Sequence, residues 1–374
     1  MDFSLDEDLV SLADLARTIF ADLADTQRVR EIESGESRID DKLWESLGSA
    51  GLLGLVVPED DGGAGLGLDA LCVVLEEQGR TVAPVPLWSH GIAALTVANH
   101  GTEAQRTLLP ALADGSVRAT VALEEFGAVT PAAPQTRAEP SRDGWALTGT
   151  KAAVPTPAGA GHVLVSATGP DGPAVFLVAA DAAGVSWECA ATTTHDLAGH
   201  LTLDRTPAGL VPVALDHVLQ QATVALAATQ VGVAEGALRL AASYVSGREQ
   251  FGRPLGTFQA VAHQLADCWI DVDAMRVTVW QALASLDEAA GSSSASTTAD
   301  LDDAAAQAVL TAQWWAAKGG LDVVHRVQHV HGGIGVDVDY PVHRHFLWGR
   351  QLAHTLGGPS AALADLGRRI AGVA

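Results

Sequence analysis

The chain has 374 residues, 45 acidic and 22 basic, giving a formal net charge of -23 at pH 7. A hydrophobic share of 48% with 18% charged residues describes an ordered globular protein, long enough for two or three domains and a large core. So large a negative surplus is repelled by phosphate backbones and anionic lipid, which removes nucleic acid and membrane surfaces from the expected partners.

The three cysteines, Cys72, Cys189 and Cys268, are scattered and form no CxxC pair, so reduced thiols are expected, with neither a disulfide frame nor a zinc site. The first residues carry acids where a signal peptide carries basic residues, and no apolar run approaches the length of a membrane span. The expectation is a soluble cytoplasmic protein.

Residues 1–117 read as helical. Leu9, Leu12, Leu15, Ile19 and Leu23 recur at helical spacing, and a second helix is predicted from Asp40 to Ala50, stopped by Gly51. A loop over Val56–Gly63 precedes a helix at Leu68–Gln78, and Trp88–Asn99 and Thr102–Ala113 read as two more. Residues 118–215 change character. Short β-like runs begin at Trp145, His162, Ala174, Gly184 and Leu201, separated by turns such as Asp143-Gly144, and predict a small barrel or sandwich.

Residues 216–374 return to helical periodicity, with long helices over 216–244, 257–286 and 301–330 and a fourth over 341–356. The stretch Gly291-Ser-Ser-Ser-Ala-Ser-Thr-Thr reads as a polar linker, and Asp300, Asp302 and Asp303 as the cap of the helix that follows. The predicted class is α+β: an N-terminal helical domain, a middle β-domain and a C-terminal four-helix bundle.

Two segments carry chemistry. Arg248-Glu-Gln-Phe-Gly-Arg-Pro-Leu-Gly-Thr-Phe-Gln-Ala-Val261 and His329-Val-His-Gly-Gly-Ile-Gly335 combine arginine with glycine-rich turns, which bring backbone N–H groups close to an anion. Each alone reads equally as a helix corner. Together, and with Gly51-Leu-Leu-Gly-Leu-Val-Val-Pro-Glu59, they resemble the acyl-CoA dehydrogenase family over the whole chain.

That resemblance implies an FAD-dependent fold with a flavin-bearing middle β-barrel domain and a C-terminal bundle forming a tetramer core. Arg248 is similar to the arginine that crosses a subunit interface to the FAD pyrophosphate. Gln250, Phe251, Phe258 and Gln259 match cofactor-facing positions, Gly332 and Gly333 match the loop near the adenine half, and His329 stands where the family has Gln.

The family's base is a Glu at the place of Leu356, sixteen residues after Tyr340, or in some relatives at the place of Ala222 on an earlier helix. Neither residue accepts a proton, so no catalytic residue is assigned. Leu123–Val129 also stands where relatives have Thr-Glu-Pro-Gly-Ala-Gly-Ser, and Ala153-Val154-Pro155 where they have a flavin-facing Trp-Ile-Thr; Pro155 brings no N–H.

Within the family, the chain resembles the base-lacking subunit of actinobacterial α2β2 enzymes that dehydrogenate steroid side-chain CoA thioesters. The implied partner is a catalytic paralogue that holds the acyl-CoA or steroid-CoA and passes electrons to an electron-transfer flavoprotein, with FAD shared at the interface. Two alternatives stand beside it: a homomeric acyl-CoA dehydrogenase using a base such as His354, and a flavin-free scaffold that binds CoA thioesters.

Bland readings attach to the remaining features. His325, His329 and His331 lack a credible third metal ligand, Trp314, Trp315 and Trp348 read as bundle core or interface anchors, and Glu124-Glu125 as a solvated loop.

Overall fold

The computed structural model describes residues 5–127, 130–142, 144–291 and 295–372. Ala128, Val129, Asp143 and Ser292–Ser294, each part of a predicted loop or turn, lie outside the described residues, as does the side chain of Asp300.

The N-terminal region forms seven helices: α1 (Glu7–Leu23), α2 (Thr26–Glu33), α3 (Asp41–Ser49), α4 (Leu68–Thr81), α5 (Leu87–His100), α6 (Glu103–Arg106) and α7 (Leu109–Ala113). Asp6 caps α1 by accepting from the Leu9 N–H at 2.8 Å, and the helix buries Ala13, Ala16 and Phe20. Leu15, predicted on the apolar face, is instead 44% exposed. Asp40 caps α3 and is clamped by both arms of Arg28 at 2.7 Å. The predicted single helix over 102–113 is broken in two. A capping box of Thr102 and Gln105 starts α6, and Pro110, in the first turn of α7, has no N–H to continue a helix from α6.

Seven strands follow: β1 (Arg118–Ala122), β2 (Arg137–Ser141), β3 (Gly144–Pro155), β4 (Ala160–Gly169), β5 (Gly172–Ala179), β6 (Val185–Ala191) and β7 (Leu197–Val211). They run in the order β1-β4-β2-β3-β7-β5, and β5 also pairs with β4, which closes the sheet on itself; β6 adds to β7. Leu147, Val163, Val165, Phe176, Val178 and Leu201 fill the interior.

The C-terminal region holds three long helices, α8 (Leu215–Gly247), α9 (Gln259–Gly291) and α10 (Ala295–His331), and two shorter ones, α11 (Val342–Leu352) and α12 (Gly358–Ile370). Helix α10 begins at Ala295, so Asp302 and Asp303 lie inside it and do not cap it. Asp303 instead accepts from Gln307 and pairs with Arg369 at 3.2 Å. The polar linker is shortened accordingly. Contrary to the expectation that no apolar run reaches membrane-span length, α8 is long and apolar enough by length and composition; 83% of its most apolar stretch is buried within the protein, as in a core helix.

The chain packs as two compact units. One comprises Gln27–Leu71 and Pro84–Ala225 and contains the barrel; the other comprises Met1–Thr26, Cys72–Ala83 and Leu226–Ala374. In the second unit the C-terminal half of α4 crosses α8 at glycine on both sides. A Cβ on Gly79 would fall 2.2 Å from the Thr229 carbonyl oxygen, and one on Gly232 would fall 1.9 Å from that of Glu76.

Charges line this crossing. Arg80 pairs with Glu77, with Glu76 at 2.5 Å and with Glu235 at 2.7 Å, and Arg276 from α9 pairs with the same Glu76 and Glu235 at 2.8 and 2.5 Å. Burial works to raise the Glu235 carboxyl pKa, but the guanidinium groups of Arg80, Arg276 and Arg239 hold it below the ordinary value. Gly232→Ala is therefore expected to destabilise the protein by about 1–3 kcal/mol or more in urea unfolding. Gly247→Ala, whose Cβ meets nothing within 4 Å, serves as the near-neutral comparison.

Candidate functional site

Residues after α8 form a minimal hairpin. The Arg248 N–H still donates to the Tyr244 carbonyl at 2.9 Å, after which β8 (Glu249–Gln250) pairs with β9 (Arg253–Pro254). Phe251 and Gly252 make the turn at φ 55° and 78°, so both central residues are left-handed, as a two-residue type I′ connection requires. The Leu255 N–H closes the base by donating to the Arg248 carbonyl at 2.8 Å.

The hairpin is braced by its own side chains. The Arg253 guanidinium lies 4.0 Å from the Phe258 ring centroid, and Phe251 meets Phe258 edge-on at 6.1 Å while remaining 92% exposed. Gln250 is exposed and donates to the Glu249 carbonyl, and Gln259 is exposed at the first position of α9. The Arg248 side chain is exposed, and its guanidinium has no hydrogen-bond or ion-pair partner among the described residues.

The second predicted segment meets the first through an aromatic stack. His331, the last residue of α10, lies 4.6 Å from the Tyr244 ring at an interplanar angle of 23°. A 3-10 turn over Gly332–Val336 follows, with Gly332 at φ 63°; a Cβ at Gly332 or Gly333 would meet nothing within 4 Å. Gln328 steadies the turn by donating to the Gly335 carbonyl at 2.5 Å. His329 is exposed.

The chemistry of this donor set suits a diphosphate-bearing dinucleotide. It offers an unpaired guanidinium, glycine backbone open to close approach, exposed amides at Gln250 and Gln259, and an exposed aromatic face at Phe251. A guanidinium with no internal counter-charge leaves its donors available to an anion. Arg253–Phe258 and Tyr244–His331 were not picked out from the sequence, although Tyr244 stands one helical turn before Arg248.

The two base positions hold apolar residues in the fold as well. Leu356 is 8% exposed in the 3-10 turn Thr355–Gly357, at φ 56° and ψ 36°, and its carbonyl accepts from Gln313 at 3.0 Å. A left-handed backbone is costly for a branched side chain, so the surrounding structure must impose it. Ala222 is fully buried in α8.

Neighbouring imidazoles have other tasks. His345 is buried, its pKa pushed down to about 4 by desolvation, and it bonds to the Arg80 carbonyl at 3.1 Å. His343 bonds to the Tyr340 carbonyl at 2.6 Å, while His354 is exposed. Among the described residues no group of three His, Cys, Asp or Glu side chains is arranged to hold a metal.

In the barrel, the flavin-facing segments implied by the resemblance have committed their backbone donors. The Ala152 N–H donates to the Glu124 carbonyl at 2.9 Å, that of Ala153 to His200 Nδ1 at 3.3 Å and that of Thr156 to the Leu197 carbonyl at 3.0 Å. Val154 pairs with Gly199 in the β3–β7 ladder, and Pro155 has no N–H. Phe126 packs edge-on against His200 at 4.7 Å.

The expectation of a solvated Glu124-Glu125 loop is corrected for Glu125. Its side chain is 6% exposed and pairs at 2.7 Å with the fully buried Lys151. Glu125 also accepts from the Thr136 N–H and hydroxyl, and Lys151 donates to Ser166 at 2.9 Å. Burial pushes the Lys151 ammonium down to about 8, against the pull of Glu125. Burial alone would raise the Glu125 carboxyl, but Lys151 and Thr136 hold it below the ordinary value. The polar loop folds inward because this lysine needs a counter-charge, which composition does not reveal.

Comparison with known proteins fits this geometry. The acyl-CoA dehydrogenase N-terminal domain matches residues 6–116 and the acyl-CoA dehydrogenase C-terminal domain matches residues 211–371. The acyl-CoA dehydrogenase FadE27 of Mycobacterium tuberculosis is 37% identical over 99% of both chains. The chain belongs to the acyl-CoA dehydrogenase family. It is an acyl-CoA dehydrogenase by fold, with the N-terminal helical, middle β and C-terminal helical order of that family.

A solved variant of the Tcur3481-Tcur3483 steroid ACAD superposes with a TM-score of 0.93 at 60% identity, covering 98% of each chain. A chain of the ChsE4-ChsE5 complex from Mycobacterium tuberculosis superposes with a TM-score of 0.91 at 36% identity, covering 99% of each. Both structures are named for a pair of different chains.

Removing one partner of a buried ion pair strands the other charge. Lys151→Ala is expected to lower stability by about 3–5 kcal/mol in chemical denaturation, whereas the double change Glu125→Gln with Lys151→Met should cost much less. Equal losses would show that the pair is not what holds the loop.

Proposed function

We propose that this chain is the base-lacking subunit of a heteromeric acyl-CoA dehydrogenase, lending FAD contacts to a catalytic paralogue in an α2β2 assembly. The observation that carries this reading is the asymmetry of its own site. An exposed Arg248 with an unpaired guanidinium and the open Gly332-Gly333 turn are joined through the Tyr244–His331 stack, while both base positions are buried and apolar. In this reading Arg248 holds the FAD pyrophosphate, Gln250, Phe251, Phe258 and Gln259 flank it, and His329, Gly332 and Gly333 face the adenine half.

In the family reaction a base takes the α-proton of a CoA thioester, and bound FAD would supply the acceptor for the β-hydride. The paralogue would supply the Glu, the isoalloxazine pocket and the acyl cavity. This chain's residues would orient the cofactor and exclude water from its outer half. The steroid ACAD among its structural relatives supports a steroid side-chain thioester as substrate. An electron-transfer flavoprotein is the proposed electron acceptor and the cytoplasm the proposed location.

No observation favours the two alternatives. His354 is exposed while the base position at Leu356 is buried, and a flavin-free scaffold leaves Arg248 and its hairpin without a task. Arg248→Ala in the coexpressed complex is expected to lower flavin content at unchanged subunit stoichiometry, because a charge-assisted phosphate contact is worth roughly 1.5–3 kcal/mol. Undiminished flavin in that variant contradicts the donor role.

A further inference from the structure

We infer that His331, stacked on Tyr244 and in tilted contact with Tyr340, is a positioning residue that ties the placement of Arg248 to that of the Gly332-Gly333 turn, and so determines how firmly FAD is retained. The inference deepens the proposed function and rests on its assignment of FAD to these two segments.

The geometry consists of three rings and one hinge. The His331 ring lies 4.6 Å from Tyr244 and 5.4 Å from Tyr340, and the two tyrosines meet edge-on at 6.3 Å. Tyr244 belongs to α8 and accepts from the Arg248 N–H through its carbonyl, so its placement fixes where the guanidinium leaves the helix. His331 immediately precedes Gly332, so its placement fixes where the open glycine turn begins. The stack is therefore a direct tie between the two ends of the anion site.

The way His331 is held separates this role from ordinary polar packing. The residue is 3% exposed, and Nδ1 donates to the Val327 carbonyl at 2.8 Å. Its other nitrogen, Nε2, is buried without a hydrogen-bond partner among the described residues. A buried unpaired acceptor is a liability, so the ring's contribution here is its flat face and not its second nitrogen. Burial also lowers the imidazole pKa, disfavouring the charged ring. A phenyl ring should therefore replace it, since the Val327 carbonyl is left with its place in the helix.

The test uses the full chain coexpressed with its flavin-bearing paralogue and measures the rate of FAD release by fluorescence, alongside thermal unfolding. His331→Ala and Tyr244→Leu are expected to release FAD about tenfold faster or more, since losing about 1.4 kcal/mol of binding corresponds to tenfold. His331→Phe should stay within about twofold of the parent, which a purely polar role would not allow, and His331→Ala should speed FAD release by more than its loss of thermal stability alone accounts for. If His331→Ala does not fold, Tyr244→Leu carries the comparison, because Tyr244 is only half-buried.

Arg248→Ala runs in parallel. If it loses FAD while the stacking variants keep it, or if His331→Phe is as impaired as His331→Ala, the positioning role is overturned and the Arg248 assignment stands. If Arg248→Ala itself keeps FAD, the underlying assignment falls and the inference with it.

Discussion

The close crossing of α4 and α8 at Gly79 and Gly232 is the constraint from which the candidate site is built. With no side chain on either glycine, the backbones approach until a single added Cβ would sit 2.2 or 1.9 Å from a carbonyl oxygen, far inside van der Waals contact. That approach brings Glu76 and Arg80 of α4 against Glu235 of α8, and Arg276 of α9 completes the charge set. Buried charge of this kind contributes little net stability, but it tolerates few alternative registers. With α8 held in one register, Tyr244 and Arg248 leave its far end in defined places.

From that end outward, the segments assigned to FAD in the proposed reading differ from the base positions and the barrel segments. The Arg248 hairpin and the Gly332-Gly333 turn are open, braced and undercommitted, which is how a surface looks when its ligand comes from outside. The base positions and the barrel segments are closed. Leu356 is packed, Ala222 is buried, and the N–H groups around Ala153 are already bonded within the chain. A site that had merely changed its acid–base chemistry would keep the flavin contacts and replace the base. Here the base positions are apolar and the N–H groups of Ala152 and Ala153 are bonded within the chain, which is what the proposed reading expects.

Much of this was legible in the sequence, for physical reasons that differ by element. The long helices announced themselves through apolar periodicity. Helix α2 did not, because only Val29 in it is buried, and α12 did not, because Gly357-Gly358-Pro359 reads as a stop although Pro359 suits a helix's first turn. Strand β2 was hidden because only Ala138 of its five residues is buried and Pro140 lies within it. The empty base positions could be read by alignment to the family pattern. The stack of Tyr244 on His331 and the inward turn of Glu125 to Lys151 join residues far apart in the chain, and no local pattern encodes them.

The central claim is that this chain donates to a flavin site that it does not complete alone. The most direct measurement is the flavin-to-protein ratio and the visible spectrum of the chain purified alone and then coexpressed with a Glu-bearing paralogue. A colourless chain alone and a yellow heteromeric complex holding one FAD for each pair of unlike subunits are expected. A yellow homomer of this chain that reduces its flavin on addition of an acyl-CoA would contradict it.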